Sequence, residues 1–329
     1  MHHVPKNAIE KLVRIKKVSE VNYLIVSSTI DYSTDFICYE LELRNVKYLR
    51  INRDRFSTYK ISFDLNKKIL TIDINSKQYI ISEKSLKSIY FRAPVFLRNL
   101  KQYSLEEQLY RSQWSSFIRN LILFENVKWI NFPMYTYRAE NKLYQLDCAK
   151  QLGFDVPETI VGNTCPEDIE DDKEYIVKSL DTALFSEGNK ELFTYSTVIK
   201  GEELKSSQLN SAPVIIQQYL KDKIDLRVTV IDNNIFGVSI TKNGNKINGD
   251  WRIKSKDELQ YIPIDIPKEI KNKICKLMKK LHLNFGGIDF ALVDGTYYFI
   301  EINPTGEWGW LVSTSKLPID KAIVDSIIG

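Results

Sequence analysis

Two apolar segments near the C-terminus, joined by Asp294-Gly295, constrain the fold of this chain more than any other part of it. Residues 287–293 and 297–303 are rich in Ile, Phe, Tyr, Leu and Val, a composition typical of β-strands. An Asp-Gly pair favours the two-residue turn of a β-hairpin. We therefore predict that the two segments are hairpin neighbours in a sheet.

Three oxygen-bearing side chains lie on this predicted hairpin: Asp289 on its first strand, and Glu301 and Asn303 on its second. Residues two apart in a strand point to the same face, so Glu301 and Asn303 present their oxygens together. Hard oxygen ligands suit Mg²⁺, which keeps water and substrate phosphates as its other ligands. The alternative is a polar, solvent-facing strand. The apolar neighbours favour a cleft, where an acidic pair needs a cation.

Three cationic side chains are candidates for binding an anion. Lys178 lies inside an apolar strand-like segment, where a lysine either extends to water from a strand end or binds phosphate. Arg227 follows Asp225 by two residues, so the two share one face of a strand, either as a structural ion pair or in a charged site. Arg252 lies near a polar turn. Together these cations would hold a triphosphate and stabilise phosphoryl transfer, although the chain has no Walker-type glycine loop.

Length and composition restrict the remaining possibilities. A chain of 329 residues exceeds the size of one hydrophobic core, so we expect two or three subdomains around a cleft. Its 46 basic and 42 acidic residues are scattered, without the basic block of a nucleic-acid-binding arm. Four dispersed cysteines and three histidines do not favour a zinc site. No stretch approaches the about 20 apolar residues of a membrane span, so we expect a cytoplasmic protein that binds neither nucleic acid nor membrane.

Local patterns predict an α/β chain. Residues 1–21 are polar and are predicted to be an N-terminal extension. Strand, helix and strand patterns within residues 22–52 indicate a small parallel α/β unit, and residues 59–74 a hairpin. Later segments are predicted as a helix at 105–124, a helix from Glu140 to Gly153, a polar loop from Leu184 to Lys190, a strand from Leu192 to Ile199 and a helix from Lys268 to Leu281.

Six short motifs occur in an order that resembles ATP-grasp ligases, from about residue 130 to the C-terminus. They are Asn141-Lys142-x-x-Gln145-Leu146, Ile176-Val177-Lys178, Ile216-Gln217-Gln218-Tyr219-Leu220, Asp225-Leu226-Arg227, Asp289-Phe290 and Glu301-Ile302-Asn303-Pro304.

A finer resemblance is to graspetide synthetases, the ATP-grasp enzymes that cross-link ribosomal peptides in microviridin and grasp-with-spasm systems. The ending of those enzymes is similar to residues 301–311, which read EINPTGEWGWL. Their N-terminal domain commonly carries an aromatic strand with Arg and Pro, similar to residues 90–94. Ala93 departs from that pattern, because a second arginine often stands there.

The resemblance implies an α/β (α+β) chain in which the ATP-grasp fold follows a pre-ATP-grasp α/β domain. The implied parts are an extension at residues 1–21, the pre-ATP-grasp domain at 22–135, and the central and C-terminal ATP-grasp subdomains at 136–220 and 221–329.

The resemblance also implies a site for ATP and Mg²⁺. Lys142 and Lys178 would contact the phosphates and the adenine side, and Asp225 the ribose or the substrate. Arg227 would stabilise the transferring phosphoryl group, with Arg252 as a second catalytic cation. A loop at residues 186–190 would close over the triphosphate and exclude water. The remaining contacts would come from the hinge backbone and the metal ligands: Gln217, Gln218, Tyr219, Leu220, Asp289, Glu301 and Asn303.

The implied reaction activates an Asp or Glu side chain of a precursor peptide as an acyl phosphate, followed by an ester or amide cross-link to Ser/Thr or Lys. Two alternatives stay open: a ligase for small amino-acid-like substrates, and a module that binds nucleotide or peptide without turnover. The implied partners are a precursor peptide with a leader segment and a second copy of the chain.

Three further aromatic side chains have no role assigned above. Trp308 and Trp310 either line a peptide cleft or belong to the packed core. His282 is interpreted as a helix-end residue.

Overall fold

The computed structural model describes residues 18–92, 103–181, 184–187, 190–193, 195–207 and 209–329, with only the backbone described at 184–187, 190–193, 210 and 256. The chain divides into two compact units. The N-terminal unit runs to Ile130 and includes Ile327–Gly329, and the C-terminal unit is Asn131–Ser326.

The N-terminal unit contains two four-stranded sheets, of order β3-β2-β7-β8 and β1-β6-β5-β4. Strands of the first sheet are all parallel, and the apolar run of β2 fits a strand covered on both faces. The second sheet contains the predicted hairpin, β4–β5. The elements are β1 Val18–Glu20, β2 Tyr23–Ser27, α1 Tyr32–Leu43, β3 Leu49–Asn52, β4 Lys60–Asp64, β5 Ile69–Ile74, β6 Lys77–Ser82, β7 Ser88–Phe91, α2 Leu105–Arg119 and β8 Lys128–Ile130.

Two expectations for this unit change. β1 lies inside the segment that we predicted as an extension, because Val18–Glu20 pair in parallel with β6. The helix predicted for residues 105–124 is α-helical only to Arg119 and continues as a 3-10 helix at Asn120–Leu123.

The C-terminal unit contains a five-stranded sheet of order β17-β16-β15-β18-β19, a four-stranded sheet of order β13-β10-β14-β9, and the hairpin β11–β12. Its helices are α3 Pro133–Ala139, α4 Lys142–Gln151, α5 Gly201–Ser206, α6 Lys268–Leu281, α7 Gly309–Ser315 and α8 Ile319–Ile328. Its strands are β9 Thr159–Gly162, β10 Glu174–Lys178, β11 Leu184–Glu187, β12 Lys190–Phe193, β13 Thr197–Lys200, β14 Val214–Gln218, β15 Ile224–Ile231, β16 Asn234–Lys242, β17 Leu259–Ile264, β18 Phe285–Val293 and β19 Thr296–Asn303.

Helix α6 has the bounds that we predicted, and it covers one face of the five-stranded sheet. Its buried side chains recur at helical spacing, at Ile274, Leu277, Met278 and Leu281, and form one apolar stripe. The stripe belongs to a core cluster with Val228, Ile288, Phe290, Phe299 and Ile302 of the sheet. The opposite face of the same strands is therefore left for the polar residues described below.

Two predictions for this unit are wrong. The polar segment from Leu184 to Lys190 is not a loop, because Leu184–Glu187 pair with Lys190–Phe193; residues 188–189 lie outside the described part. The strand predicted from Leu192 to Ile199 is two strands with different partners, β12 with β11 and β13 with β10. The helix predicted from Glu140 to Gly153 is confirmed as α4, although it begins two residues later, at Lys142, and is preceded by the separate helix α3.

None of the described helices is long and apolar enough to cross a bilayer.

Candidate nucleotide and metal site

The C-terminal hairpin is confirmed as β18 and β19. Its turn residues Asp294 and Gly295 both have positive φ, 46° and 84°, as a type I′ hairpin turn requires. The pairing places Asp289 opposite Glu301, and Gly287 opposite Asn303. Directly paired residues of antiparallel strands point to the same face, so the carboxylates and the amide share one surface.

A β-bulge separates the acidic part of this hairpin from its apolar part. The register shifts after Asp289, so that Phe290 pairs with Phe299 and Ile300 is the extra residue of β19. Strict alternation would place Phe299 on the same face as Glu301. Because the bulge resets the alternation, Phe299 is buried in the core while Ile300 and Glu301 both line the cleft.

Strand β15 completes a small grid of polar positions. Arg227 pairs with Asp289, which pairs with Glu301, so these three residues form one row across β15, β18 and β19. Thr229, Gly287 and Asn303 form the next row in the same way. We call these six residues the polar grid. The residues between them along the strands, Val228, Ile288 and Ile302, lie in the core cluster, as the two-residue period requires.

Cationic side chains converge on the two carboxylates of the grid. Arg252 donates from one nitrogen to Asp289 at 2.9 Å and to Glu301 at 3.0 Å. Arg227 Nε lies 3.1 Å from Asp289 Oδ1, and Lys142 Nζ lies 3.9 Å from Glu301 Oε2. The row and the cations around it therefore form a largely buried cluster of opposite charges rather than a solvent-facing strand.

The environment separates the pKa values of the two carboxyl groups. Burial raises the pKa of Asp289 to about 6, against the opposing effect of Arg227 and Arg252. Burial also acts to raise the pKa of Glu301, but Arg252, Lys142 and Lys178 outweigh it and lower that pKa to about 2. Glu301 is thus firmly ionised at neutral pH, and the pair as a whole is stable only beside positive charge.

The donor set of the grid fits Mg²⁺. The described residues contain no group of three or more His, Cys, Asp and Glu side chains suited to a metal, so the set consists of two carboxylates and an amide. Asp289 Oδ1 is buried and has no hydrogen-bond partner within the described part of the chain. Two carboxylates and an amide oxygen supply part of an octahedral shell and leave its remaining positions to water and phosphate oxygens. Arg252 bridges the two carboxylates at this point.

An apolar cavity adjoins the grid between the two larger sheets of this unit. Its walls include Ile176, Leu220, Phe290 and Ile300, and its polar edge includes Lys178, Gln217, Gln218 and Asp225. Such a slot, with a few polar groups at its rim, suits a planar heterocycle.

Lys178 is held at the rim of this cavity. Its Nζ donates to Gln217 Oε1 at 3.0 Å, and Gln217 Nε2 donates to Thr159 Oγ1 at 2.7 Å. Burial lowers the pKa of Lys178 to about 8 against the raising effect of Glu301, and Lys142 and Arg252 lower it further. The ammonium thus lies beside other cations, where an anionic ligand would stabilise it. Lys178 is the last residue of β10 and is partly buried, and its binding of phosphate stays a prediction.

A second, polar cavity lies over the grid. Lys142, Lys178, Arg227, Arg252, Glu301 and Asn303 line it, together with Gly306. Lys142 Nζ also donates to the carbonyl of Ser179 at 3.2 Å, which fixes its direction. Four cations, Lys142, Lys178, Arg227 and Arg252, thus face one small volume beside two carboxylates, an arrangement that suits a polyphosphate with its metal ion.

The hinge residues do not all face the same cavity. Gln217, Gln218 and Leu220 line the apolar cavity, whereas Tyr219 lines a different cavity with Glu158, Lys173 and Lys221. Tyr219 can therefore contribute to the apolar cavity only through its backbone, which is the role expected of the hinge.

Asp225 has a cationic partner that sequence reasoning missed. Lys223 Nζ donates to Asp225 Oδ2, and both side chains line the apolar cavity. Burial raises the pKa of Asp225, against the lowering by Lys223. The two-residue spacing of Lys223 and Asp225 was the available signal.

The two tryptophans after β19 differ in burial. Trp308 is fully buried, whereas Trp310 is half-buried and packs on Tyr261 and Trp251, with ring centroids 4.6 and 6.2 Å apart. His282 follows α6 with φ of 56° and stacks on Tyr135 at 4.6 Å, so the helix-end interpretation is confirmed.

Residues 189–327 match the family model of the RimK-like ATP-grasp domain. The chain carries an ATP-grasp domain. This domain holds the polar grid, α6 and the C-terminal hairpin. No match was found among curated protein sequences.

Solved structures with the ATP-grasp fold cover nearly the whole chain. Macrocyclase MdnC from Microcystis aeruginosa MRC, bound with precursor peptide MdnA, is 23% identical, with a TM-score of 0.78 over 93% of this chain and 99% of that chain. A RiPP-associated ATP-grasp ligase from Chryseobacterium gregarium, in complex with ADP and a leader and core peptide, is 22% identical, with a TM-score of 0.81 over 94% and 96%. ATP-grasp ligase PsnB, complexed with Mg, ADP and a phosphomimetic variant of its minimal precursor, is 18% identical, with a TM-score of 0.73 over 94% and 98%.

These likenesses confirm the predicted fold class, an ATP-grasp fold preceded by an α/β domain.

Proposed function

We propose that this ATP-grasp protein is an ATP- and Mg²⁺-dependent ligase that cross-links a ribosomal precursor peptide. The observation that carries the proposal is the row of Arg227, Asp289 and Glu301, whose Arg227 and Glu301 line a polar cavity with Lys142 and Lys178. This row joins the parts that phosphoryl transfer to a carboxylate needs: a place for a metal ion, cations for the phosphates and a buried arginine at the transferred group.

The nucleotide would lie with its adenine in the apolar cavity and its phosphates in the polar cavity. Lys178 borders both cavities, which suits a cation at the junction of the base and the phosphate chain. Asp289, Glu301 and Asn303 would hold Mg²⁺, which neutralises phosphate charge when bound.

The proposed chemistry takes place in two steps. A carboxylate oxygen of an Asp or Glu side chain forms a bond to the γ-phosphorus while the bond to ADP breaks. The hydroxyl of Ser or Thr, or the amine of Lys, then attacks the acyl carbon, and phosphate leaves with the electron pair of its bond. The peptide loses one water per cross-link, and Arg227 stabilises the charge on the transferred phosphoryl group in both steps.

A peptide substrate is supported by the similar structures, three of which contain a precursor peptide or its variant. The proposed mechanism needs no nucleophilic triad, because ATP activates the carboxylate while the protein positions the reactants and neutralises their charge. A leader segment would hold the precursor while its core reaches the polar cavity.

Incubation with ATP, Mg²⁺ and a Thr- and Glu/Asp-rich peptide encoded beside the gene tests the proposal by mass spectrometry. Loss of one water per bond, dependent on ATP, is the expected result, and alkaline hydrolysis separates esters from amides. Phosphate release with small amines alone would favour the small-substrate ligase. Tight ADP binding without turnover of any substrate would favour a binding module.

We also propose that the protein acts as a homodimer in the cytoplasm. The dispersed free thiols, of which Cys38 and Cys148 are buried, support a reducing compartment. Light scattering of the purified protein tests the dimer, and a monomer at micromolar concentration would contradict it.

A further inference from the structure

One position of the polar grid has no side chain. Gly287 stands between Thr229 and Asn303 in the second row, where every other grid residue presents a polar group. Its φ is not among the positive values of the chain, so the backbone there accepts any L-residue. Glycine inside a strand costs about 0.5–1 kcal/mol relative to alanine. Its presence at this position therefore needs a reason other than backbone conformation.

The space over Gly287 is filled by the side chain of Arg227. A Cβ added to Gly287 would lie 2.7 Å from Arg227 Nη1 and 3.8 Å from its Cδ. The first distance is shorter than any normal contact between a Cβ and another heavy atom, so the guanidinium would have to move. Arg227 and Gly287 are diagonal neighbours across β15 and β18, which explains why the long side chain lies over the glycine.

A second glycine lies close to the same nitrogen. A Cβ added to Gly306 would lie 3.5 Å from Arg227 Nη1 and 3.1 Å from Asn303 Cβ. The Gly306 backbone N–H donates to the Asn303 carbonyl at 3.1 Å, which fixes this glycine in the turn after β19. Arg227 Nη1 is thus in contact range of two glycine positions, and both belong to segments that carry the metal-site residues.

Arg227 is buried with unused donors. Its Nη1 has no hydrogen-bond partner within the described part of the chain, and the same is true of Thr229 Oγ1. Its Nε makes no hydrogen bond either, but it lies 3.1 Å from Asp289 Oδ1 as an ion pair. All these atoms belong to neighbouring positions on one face of the sheet. Buried polar groups are nearly always hydrogen-bonded, so donors left unpaired beside a polar cavity indicate a ligand oxygen.

We propose that Gly287 is a positioning residue that lets the Arg227 guanidinium lie directly against the sheet, with the unpaired Nη1 available to the transferred phosphoryl group. Gly306 limits the position of the same guanidinium from the turn after β19. This inference rests on the proposed function for the identity of the ligand, and on the structure alone for the contact between Gly287 and Arg227.

The test compares Gly287→Ala with Gly286→Ala. A Cβ at Gly286 would meet Ile302 Cδ1 at 2.8 Å, so this neighbouring change introduces a similar clash on the core face, away from Arg227. Gly287→Ala should lower kcat by about 100-fold, as a displacement of roughly 1 Å at a reacting group does, and leave ADP affinity unchanged. Gly286→Ala should lower the melting temperature and keep the wild-type kcat. An unchanged kcat in Gly287→Ala, or an equal loss in both variants, would overturn the inference.

A double-mutant cycle with Arg227→Lys measures whether the effect of Gly287→Ala on kcat depends on Arg227, which a purely structural role of the glycine would not produce. Lysine has no Nη1, so adding Gly287→Ala to Arg227→Lys should cause no further loss of kcat. A further loss as large as that in the wild-type background would show that Gly287 acts independently of Arg227.

Binding of inorganic phosphate in the presence of ADP and Mg²⁺ separates failure of this inference from failure of the proposed function. Gly287→Ala should weaken phosphate binding about tenfold, roughly the effect of one charge-assisted hydrogen bond, and Gly286→Ala should not. If the wild-type protein modifies no peptide, the proposed function fails, and the phosphate titration still decides the role of Gly287. Equal phosphate affinity in the wild type and Gly287→Ala would refute that role.

Discussion

Replacing Arg252 by methionine removes the guanidinium that bridges the two carboxylates of the polar grid. The side chain is 40% exposed, whereas those of Asp289 and Glu301 are 10% and 15% exposed. The variant therefore keeps much of the apolar stem and loses the charge. We expect the loss of this charge to lower the stability of the protein, and we expect Mg²⁺ with ADP to restore that stability.

The size of the effect follows from the contacts. Arg252 makes hydrogen bonds of 2.9 and 3.0 Å to carboxylates, each worth about 1.5–3 kcal/mol when charge-assisted. Partial exposure reduces this, and Asp289 keeps Arg227 at 3.1 Å. We expect a loss of about 2 kcal/mol, which lowers the melting temperature by roughly 4–8 °C for a unit of this size.

Thermal unfolding with and without Mg²⁺ and ADP measures both parts of the prediction. The ligand should raise the melting temperature of Arg252→Met more than that of the wild type, because no guanidinium competes for the carboxylates. Lys242→Met is the control: it breaks an exposed ion pair with Glu258 at 2.9 Å and should cost no more than about 0.5 kcal/mol. A wild-type melting temperature for Arg252→Met, or equal stabilisation of both proteins by the ligand, would refute the reasoning.

Three further predictions concern single residues. Glu301→Gln should abolish turnover and leave the circular dichroism spectrum unchanged, because an amide is a much poorer Mg²⁺ ligand; normal phosphate release would contradict the metal assignment. Since burial lowers the pKa of Lys178 to about 8, its charge is lost as pH rises through that value. ADP affinity measured by calorimetry should therefore fall above about pH 8 in the wild type, and it should fall less in Lys178→Met. The same pH dependence of ADP affinity in both proteins would contradict this role of Lys178. Gln145 is buried and bonds the Ile302 backbone in both directions, at 2.8 and 2.9 Å, so Gln145→Leu should lower the free energy of unfolding by about 2–4 kcal/mol in urea titration; a loss below 0.5 kcal/mol would show that β19 does not depend on it.

The C-terminal hairpin β18–β19 could be predicted from the sequence because its signals are local. Asp294-Gly295 specifies the turn, and the two-residue period places Glu301 and Asn303 on one face. Helix α6 was readable for the same reason, since its apolar residues repeat at helical spacing without help from distant contacts.

The segment from Leu184 to Lys190 shows where local reasoning failed. Its polar composition favoured a loop, but backbone pairing between β11 and β12 does not depend on apolar side chains. The Gly188-Asn189 dipeptide, a common two-residue hairpin connection, was the signal passed over.

The sequence by itself determined which residue types the candidate site contains: the acids and amide of the hairpin, and the lysines and arginines in motif order. Only the tertiary structure decided how they meet. The register of β15 against β18 places Arg227 beside Asp289, the bulge at Ile300 turns Glu301 into the cleft, and Arg252 reaches both carboxylates from a distant turn. The space over Gly287 is likewise decided by a side chain 60 positions away in the chain. Pairing between strands far apart in sequence depends on the packing of the whole core, and no local pattern encodes it.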